Sequence, residues 1–248
     1  MKKVLITLSL LASLLFAEGF DASFYELQNS KKQKEEFIKA LKPLLQRANE
    51  NILNERNFIE AFYMRAISIG FREFESSDLA YIINLAKKYK IATIFHKNEF
   101  LRRIDVVPVS LGLTQGAIES AWGRSRFARE ANNIFGHWTW GEYGLVPEQR
   151  EEGKTHKIRI FSDLQASVDA YVLNLNRNQA YKEFRHQREV FRQKGELFNG
   201  FDAALSMKNY SELKEDYVWM LQGMMEKNNL LAYDNDAVYN PASLMASD

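Results

Sequence analysis

Glu119 is a lone carboxylate at the end of an apolar run, Leu113-Thr-Gln-Gly-Ala-Ile-Glu119, which closes on a Trp122-Gly123 turn. A carboxyl on an apolar helix beside Trp122 is desolvated, and desolvation raises its pKa so that it keeps a proton near neutral pH. That is what a general acid needs. A plainer role, a glutamate satisfied by a buried backbone or arginine partner, would place the same residue there. Further on, the stretch from Trp138 to Phe161 carries Glu142, Glu148, Glu151 and Glu152. Glu148 and Glu151 are the preferred candidates for a second catalytic carboxylate, although four solvated loop charges would read alike. His137 and His156 form no carboxylate–histidine helix pair, and there are 0 cysteines, so no zinc site and no metal is expected. The chain has no phosphate loop and no nucleophile-elbow serine, and no cofactor is expected.

The elements that must position Glu119 follow from periodicity. Pro108 suits the first turn of a helix reaching about Ala121, with Val109, Leu113, Ala117 and Ile118 as its buried side. Gly112, Gln115 and Gly116 share a face with Glu119. Two glycines inside a helix cost about 1 kcal/mol each relative to alanine. That cost is tolerated where a ligand or another backbone comes close, so this face is expected to floor a groove. Upstream, Asp21 to about Leu53 has helical period, with Phe37, Leu41, Leu44 and Leu45 on one face and a kink or restart expected at Pro43. A separate helix is expected over Asn57 to Ile69, and another is capped by Ser76-Ser77-Asp78. Glycines 141, 144 and 153 with Pro147 suggest a β-hairpin or flap. Ser162-Asp-Leu-Gln165 reads as a capping box opening a helix with Leu164, Val168, Tyr171, Val172 and Leu175 on its apolar side. A last helix is expected after Asn209-Tyr210-Ser211, with Tyr217 among its apolar residues and a loose tail after Tyr233.

Composition bounds the class. The 248 residues are 46% hydrophobic and 13% aromatic, enough for a sizeable core and against disorder. With 33 Lys/Arg against 32 Asp/Glu the chain is nearly neutral, which argues against a nucleic-acid partner. Residues 1–17 read as an export signal: Lys2 and Lys3, an apolar run from Val4 to Phe16, and Phe16-Ala17 as a cleavage site. The run is short against the roughly 20 residues of a stable membrane span, so no span is expected once the signal is removed.

The ordered series Ala117-Ile-Glu119-Ser-Ala-Trp-Gly123, Ser125-Arg-Phe-Ala128 and Asn132-Asn-Ile-Phe-Gly136 resembles the peptidoglycan β-N-acetylglucosaminidases of glycoside hydrolase family 73, in their Bax-like branch. The likeness continues through Gly144-Leu-Val-Pro147, Gly153-Lys-Thr-His156, Arg159-Ile-Phe161, Ser167-Val-Asp-Ala-Tyr171, Ala180-Tyr181 and Tyr217-Val218. It implies a mostly α, α+β lysozyme-like fold, with a helical catalytic domain and a small β-hairpin lobe facing it across a glycan groove. The expected organisation is a signal over 1–17, an N-terminal helical extension over 18–104, the glucosaminidase domain over 105–232 and a tail over 233–248.

The resemblance puts the family's general acid on Glu119 and a cleft tyrosine on Tyr210, and makes peptidoglycan glycan strands the partner, in the periplasm or cell envelope. In several relatives a second acidic residue of the β-lobe is also needed, and no single glutamate here aligns with it. Gln115, Phe135, Trp138 and Tyr210 are the expected substrate contacts, although a packed flap would use the same aromatics. Many Bax-like proteins carry two cysteines after the Phe-Gly turn, and this chain has His137-Trp-Thr-Trp140 there instead. Two rival activities stay open on this fold: a muramidase or lytic transglycosylase, and a catalytically weak glycan-binding protein.

Overall fold

The computed structural model describes residues 19–148, 153–209 and 215–235. The expected signal, Glu151, Glu152, Tyr210 and most of the expected tail lie outside them. Ten α-helices are described, with a small antiparallel β-pair between the sixth and seventh. The mostly α, lysozyme-like fold expected from the sequence is the fold observed.

A short helix α1 (Ala22–Glu26) precedes α2 (Ser30–Ile69), a 40-residue helix that is the longest in the molecule. At 1.5 Å per residue α2 is about 60 Å long. The Asn29 side chain caps it, accepting from the backbone of Lys31 and Lys32 at 2.9 and 3.0 Å. The restart expected at Pro43 and the separate helix after it are not observed: α2 is one continuous helix from Ser30 to Ile69. Pro43 lies on the solvent face, where its missing hydrogen bond leaves a carbonyl that water can reach. The opposite stripe, Phe37, Leu41, Leu45, Ala48, Ile52, Ile59 and Phe62, is buried without interruption on both sides of the proline.

Helices α3 (Ser76–Tyr89) and α4 (Lys97–Arg103) fold back on the far half of α2. The chain then enters α5 (Val109–Glu119), whose residues from Val109 to Ala117 are all buried. With no charge before Glu119, α5 can be surrounded: α2 packs on one side, and α9 (Gly200–Ala204), α10 (Glu215–Lys227) and the C-terminal 3-10 turn (Leu230–Asn235) pack around the rest. Between α6 (Arg126–Ala131) and α7 (Leu164–Arg177), strands β1 (Trp138–Thr139) and β2 (Lys157–Ile158) pair antiparallel, Trp138 opposite Ile158 and Thr139 opposite Lys157. The N-cap of α7 is Asp163, accepting from Ala166 N at 2.7 Å, rather than Ser162. Gln165 does not complete the expected box, because its amide reaches Leu44 O on α2 at 3.1 Å and Asp169 at 2.8 Å.

Two buried carboxylates tie the scaffold. Asp105, between α4 and α5, binds Arg192 of α8 (Lys182–Lys194) through Nε at 2.6 Å, with Arg56 of α2 at 3.5 Å. Burial alone would raise its pKa, but the Arg56, Arg192 and Arg188 guanidiniums outweigh it and hold the carboxyl at about 2. Asp234 accepts from Ser110 N and Oγ at 2.9 and 2.5 Å and from Gly200 N at 2.8 Å. It therefore fastens the starts of α5 and α9 to the C-terminal turn.

Candidate active site

Glu119 is the last residue of α5, and the backbone beyond it turns sharply. Ala121, Trp122 and Gly123 have φ of 50°, 57° and 80°. Left-handed conformations cost roughly 1–2 kcal/mol at non-glycine residues, so the surroundings must impose them. Trp122 N returns to Ala117 O at 2.8 Å, and Ser125 N to Ser120 O at 2.8 Å. The Ser120 hydroxyl donates to Gly116 O at 2.6 Å and accepts from Gly123 N at 2.8 Å. Gln33 of α2 donates to Trp122 O at 3.0 Å, and the indole packs edge-on to Phe37 with Lys34 over its face at 4.8 Å. A Cβ on Gly123 would meet Phe20 at 2.8 Å. Trp122 is thus turned onto α2.

The expected role of the glycine face of α5 is corrected. A Cβ on Gly112 would lie 2.6 Å from Leu45 Cδ2, and one on Gly116 would lie 2.9 Å from Leu41 Cδ2. These glycines admit α2, not a ligand. Gln115, expected to contact substrate, is fully buried. Its carbonyl accepts from the Tyr171 hydroxyl at 2.6 Å and its amide donates to the Tyr217 hydroxyl at 3.1 Å. Tyr217 in turn donates to Glu119 Oε1 at 3.5 Å. The three donors point the same way, Tyr171 to Gln115 to Tyr217 to Glu119. This order fixes the Tyr217 proton on the glutamate.

The wall opposite is the loop after α6. Asn132 ends that helix at φ 51°, and the Asn133 side chain holds the loop shut. Its amide donates to His137 O and Arg159 O at 2.8 Å, and its carbonyl accepts from His137 N at 2.9 Å. Gly136, at φ 68°, then passes so close that a Cβ there would lie 3.8 Å from Glu119 Oε2. Phe135 is buried and stacked on Tyr171 at 3.9 Å and 9°, so it supports the Gln115 relay rather than offering a face to a ligand.

Glu119 is solvent-accessible, at an open surface rather than in a closed cavity. The protein around it still withdraws enough water to raise its pKa, and the Tyr217 hydrogen bond opposes that rise. Tyr181 belongs to the same cluster: burial, then the Glu119 charge, push its hydroxyl up to about 12. Tyr217 is raised by burial too. His137 sits between Phe135 and Phe161, and burial followed by the Arg159 charge holds its imidazole at about 4, hence neutral at ordinary pH.

Glu148 is paired with Arg126 at 3.1 Å and its side chain is 76% exposed. Glu142 is exposed too. Trp138 is 56% exposed and stacks on His156 at 4.3 Å, with Trp140 edge-on at 6.3 Å. Tyr217 and Tyr181 are the site residues that reading for function missed. Tyr217 falls in an apolar helical stripe, where nothing in the sequence tells a core ring from one whose hydroxyl emerges at a carboxylate. Among the described residues no group of His, Cys, Asp and Glu could hold a metal ion, and no helix is long and apolar enough to cross a membrane.

Residues 96–230 match the family model for mannosyl-glycoprotein endo-beta-N-acetylglucosaminidase. The chain is also similar to Protein bax of Escherichia coli (strain K12), at 29% identity over 205 residues that cover 80% of this chain and 71% of that one. No solved structure matches it. The matched segment holds α5 with Glu119, the loop facing it and the Tyr171–Gln115–Tyr217 relay, and on that match the chain belongs to the glucosaminidase family of glycosidases, among its Bax-like proteins.

Proposed function

We propose that this chain is an exported peptidoglycan hydrolase that cleaves the β-1,4 bond after N-acetylglucosamine, with Glu119 as general acid. The observation that carries the reading is the Glu119 carboxyl itself. It is solvent-accessible, raised in pKa by its surroundings and oriented by Tyr217. A raised pKa favours the protonated form that a general acid needs.

In the reaction, the Glu119 proton passes to the glycosidic oxygen as the C1–O bond breaks, and the leaving sugar departs as an alcohol. Two routes can complete the step. In one, a hairpin carboxylate, Glu148 or Glu151, takes a proton from water as that water attacks C1 from the opposite face, and the configuration inverts. In the other, the substrate's own N-acetyl oxygen attacks C1, and water later opens the resulting ring with retention. The anomeric configuration of the first-formed product, read by NMR, separates the two.

The bond cleaved is tested by mass spectrometry of digested sacculi. New reducing N-acetylglucosamine ends are expected. Reducing muramic acid ends would indicate a muramidase, anhydro ends a lytic transglycosylase, and sacculus binding with no release a glycan-binding protein. Export to the periplasm or envelope rests on residues 1–17, and loss of the protein from the periplasmic fraction when they are deleted would support it.

A further inference from the structure

A groove of about 730 Å³ in the described part of the molecule does not contain Glu119. It runs between β1 and the N-terminal helices, over the outer face of α7, and its walls include Trp138, Trp140, Arg159, Asp169, Asn174 and Arg177. Its size suits a bound oligosaccharide segment.

Its chemistry is lopsided. Trp138 and Trp140 are 56% and 72% exposed, an uncommon surface for two neighbouring indoles and a suitable one for stacking on sugar rings. Lys88 also lines the groove, but Glu55 holds it at 2.6 Å. Arg159 lies over the Phe161 ring at 4.5 Å, and neither it nor Arg177 has a carboxylate partner among the described residues. Asp169 is the sole carboxylate lining the groove there, and the Gln165 amide already occupies it at 2.8 Å. Two guanidiniums are therefore available for bidentate pairing with carboxylates.

The groove also connects to the catalytic cluster. Asn174 lines it, and the Asn174 side chain is hydrogen-bonded to Tyr181, whose hydroxyl feels the Glu119 charge.

We propose that this groove is a second binding arm for the glycan strand, in which Trp138 and Trp140 stack on sugars and Arg159 and Arg177 pair with the free carboxylates of the strand's stem peptides. The proposal rests on the peptidoglycan reading above. In intact wall the lactyl carboxyl is already amide-linked, which leaves the stem peptides as the source of negative charge. Helices α2 and α3, which wall the groove beside α7, then help select peptide-bearing strands.

The test measures binding rather than turnover, in full-length protein carrying Glu119→Gln. Three ligands are compared: native sacculi and sacculi whose carboxyls have been amidated with a carbodiimide, both by co-sedimentation, and soluble glycan strands stripped of their stem peptides, as competitors for binding to native sacculi. Native sacculi are expected to bind about tenfold more tightly than either of the others at low salt, with the difference shrinking as salt rises. Adding Arg159→Gln or Arg177→Gln should each reduce that advantage, and the pair together should remove it. Equal binding of native and amidated sacculi would overturn the proposal without needing any variant, and so would an advantage that survives both substitutions. A full advantage on stripped strands would move the contact to the lactyl carboxyl and overturn the stem-peptide assignment. Because no catalysis is measured, these outcomes stand apart from the muropeptide assay that tests the hydrolase reading.

Discussion

The Tyr217 hydroxyl, 3.5 Å from Glu119 Oε1, donates to it because its own lone pair is occupied by the Gln115 amide at 3.1 Å. Gln115 is in turn oriented by Tyr171, on which Phe135 stacks at 3.9 Å. The acid is therefore set by a relay that begins in the core. Each member has a separate consequence when it is removed.

Tyr217→Phe takes away the one hydrogen bond that lowers the Glu119 pKa. The alkaline limb of the kcat/KM profile, which reports deprotonation of the acid in the free enzyme, is expected to move to higher pH. The buried Gln115 amide loses its acceptor, at a cost of about 1–3 kcal/mol in stability. A pH–rate profile and a urea titration check both, and an alkaline limb that stays in place or moves down would contradict the assigned hydrogen bond.

Gly112→Ala tests why α5 carries glycine. Alanine gains about 1 kcal/mol of helix propensity, but its Cβ would enter the space of Leu45 Cδ2, 2.6 Å away on a fully buried side chain. Overpacking costs about 1–3 kcal/mol, so the substitution is expected to be neutral to destabilising. In a double-mutant cycle with Leu45→Val, the two substitutions should show a favourable coupling of about 0.5–3 kcal/mol. Stabilisation by Gly112→Ala, with no coupling to position 45, would return the glycine face to a ligand.

His137 sets an acid limit on stability. Its ordinary value is 6.5, and in the folded chain burial and Arg159 hold it at about 4. The unfolded chain therefore binds the extra proton between those values, so stability is complete above pH 6.5 and declines as the pH falls towards 4. Between pH 7 and 4.5 the loss is about 2–3 kcal/mol, or roughly 5–10 °C in Tm for a chain of this size. His137→Gln should flatten that limb. Asp105 acts in a lower window: its folded carboxyl is held at about 2, against 3.8, so its contribution is present above pH 3.8 and is lost as the pH falls towards 2.

The helical architecture was legible because long apolar stripes recur at helical period, as in Phe37–Leu41–Leu45 and Leu164–Val168–Tyr171. The restart expected at Pro43 does not occur because the proline lies on the solvent side, where it costs one hydrogen bond and leaves the buried stripe intact. Glu119 was visible as the only charge on an apolar helix. Its partners were not, since Gln115 and Tyr217 lie 102 positions apart and only the packing of α10 against α5 joins them. The two glycines signalled close approach correctly, but a sequence does not say whether the approaching group is a ligand or Leu45.

The central claim is that Glu119 is the proton donor, and muropeptide release from purified sacculi by Glu119→Gln tests it most directly. Glutamine keeps the shape and can still accept from Tyr217, so the Tm should stay within roughly 2 °C of the parent, less than about 1 kcal/mol for a chain of this size. Release should fall by about 10²–10⁴-fold, the contribution of general acid catalysis that the substitution removes. A folded Glu119→Gln protein that releases muropeptides at the parent rate would contradict the account.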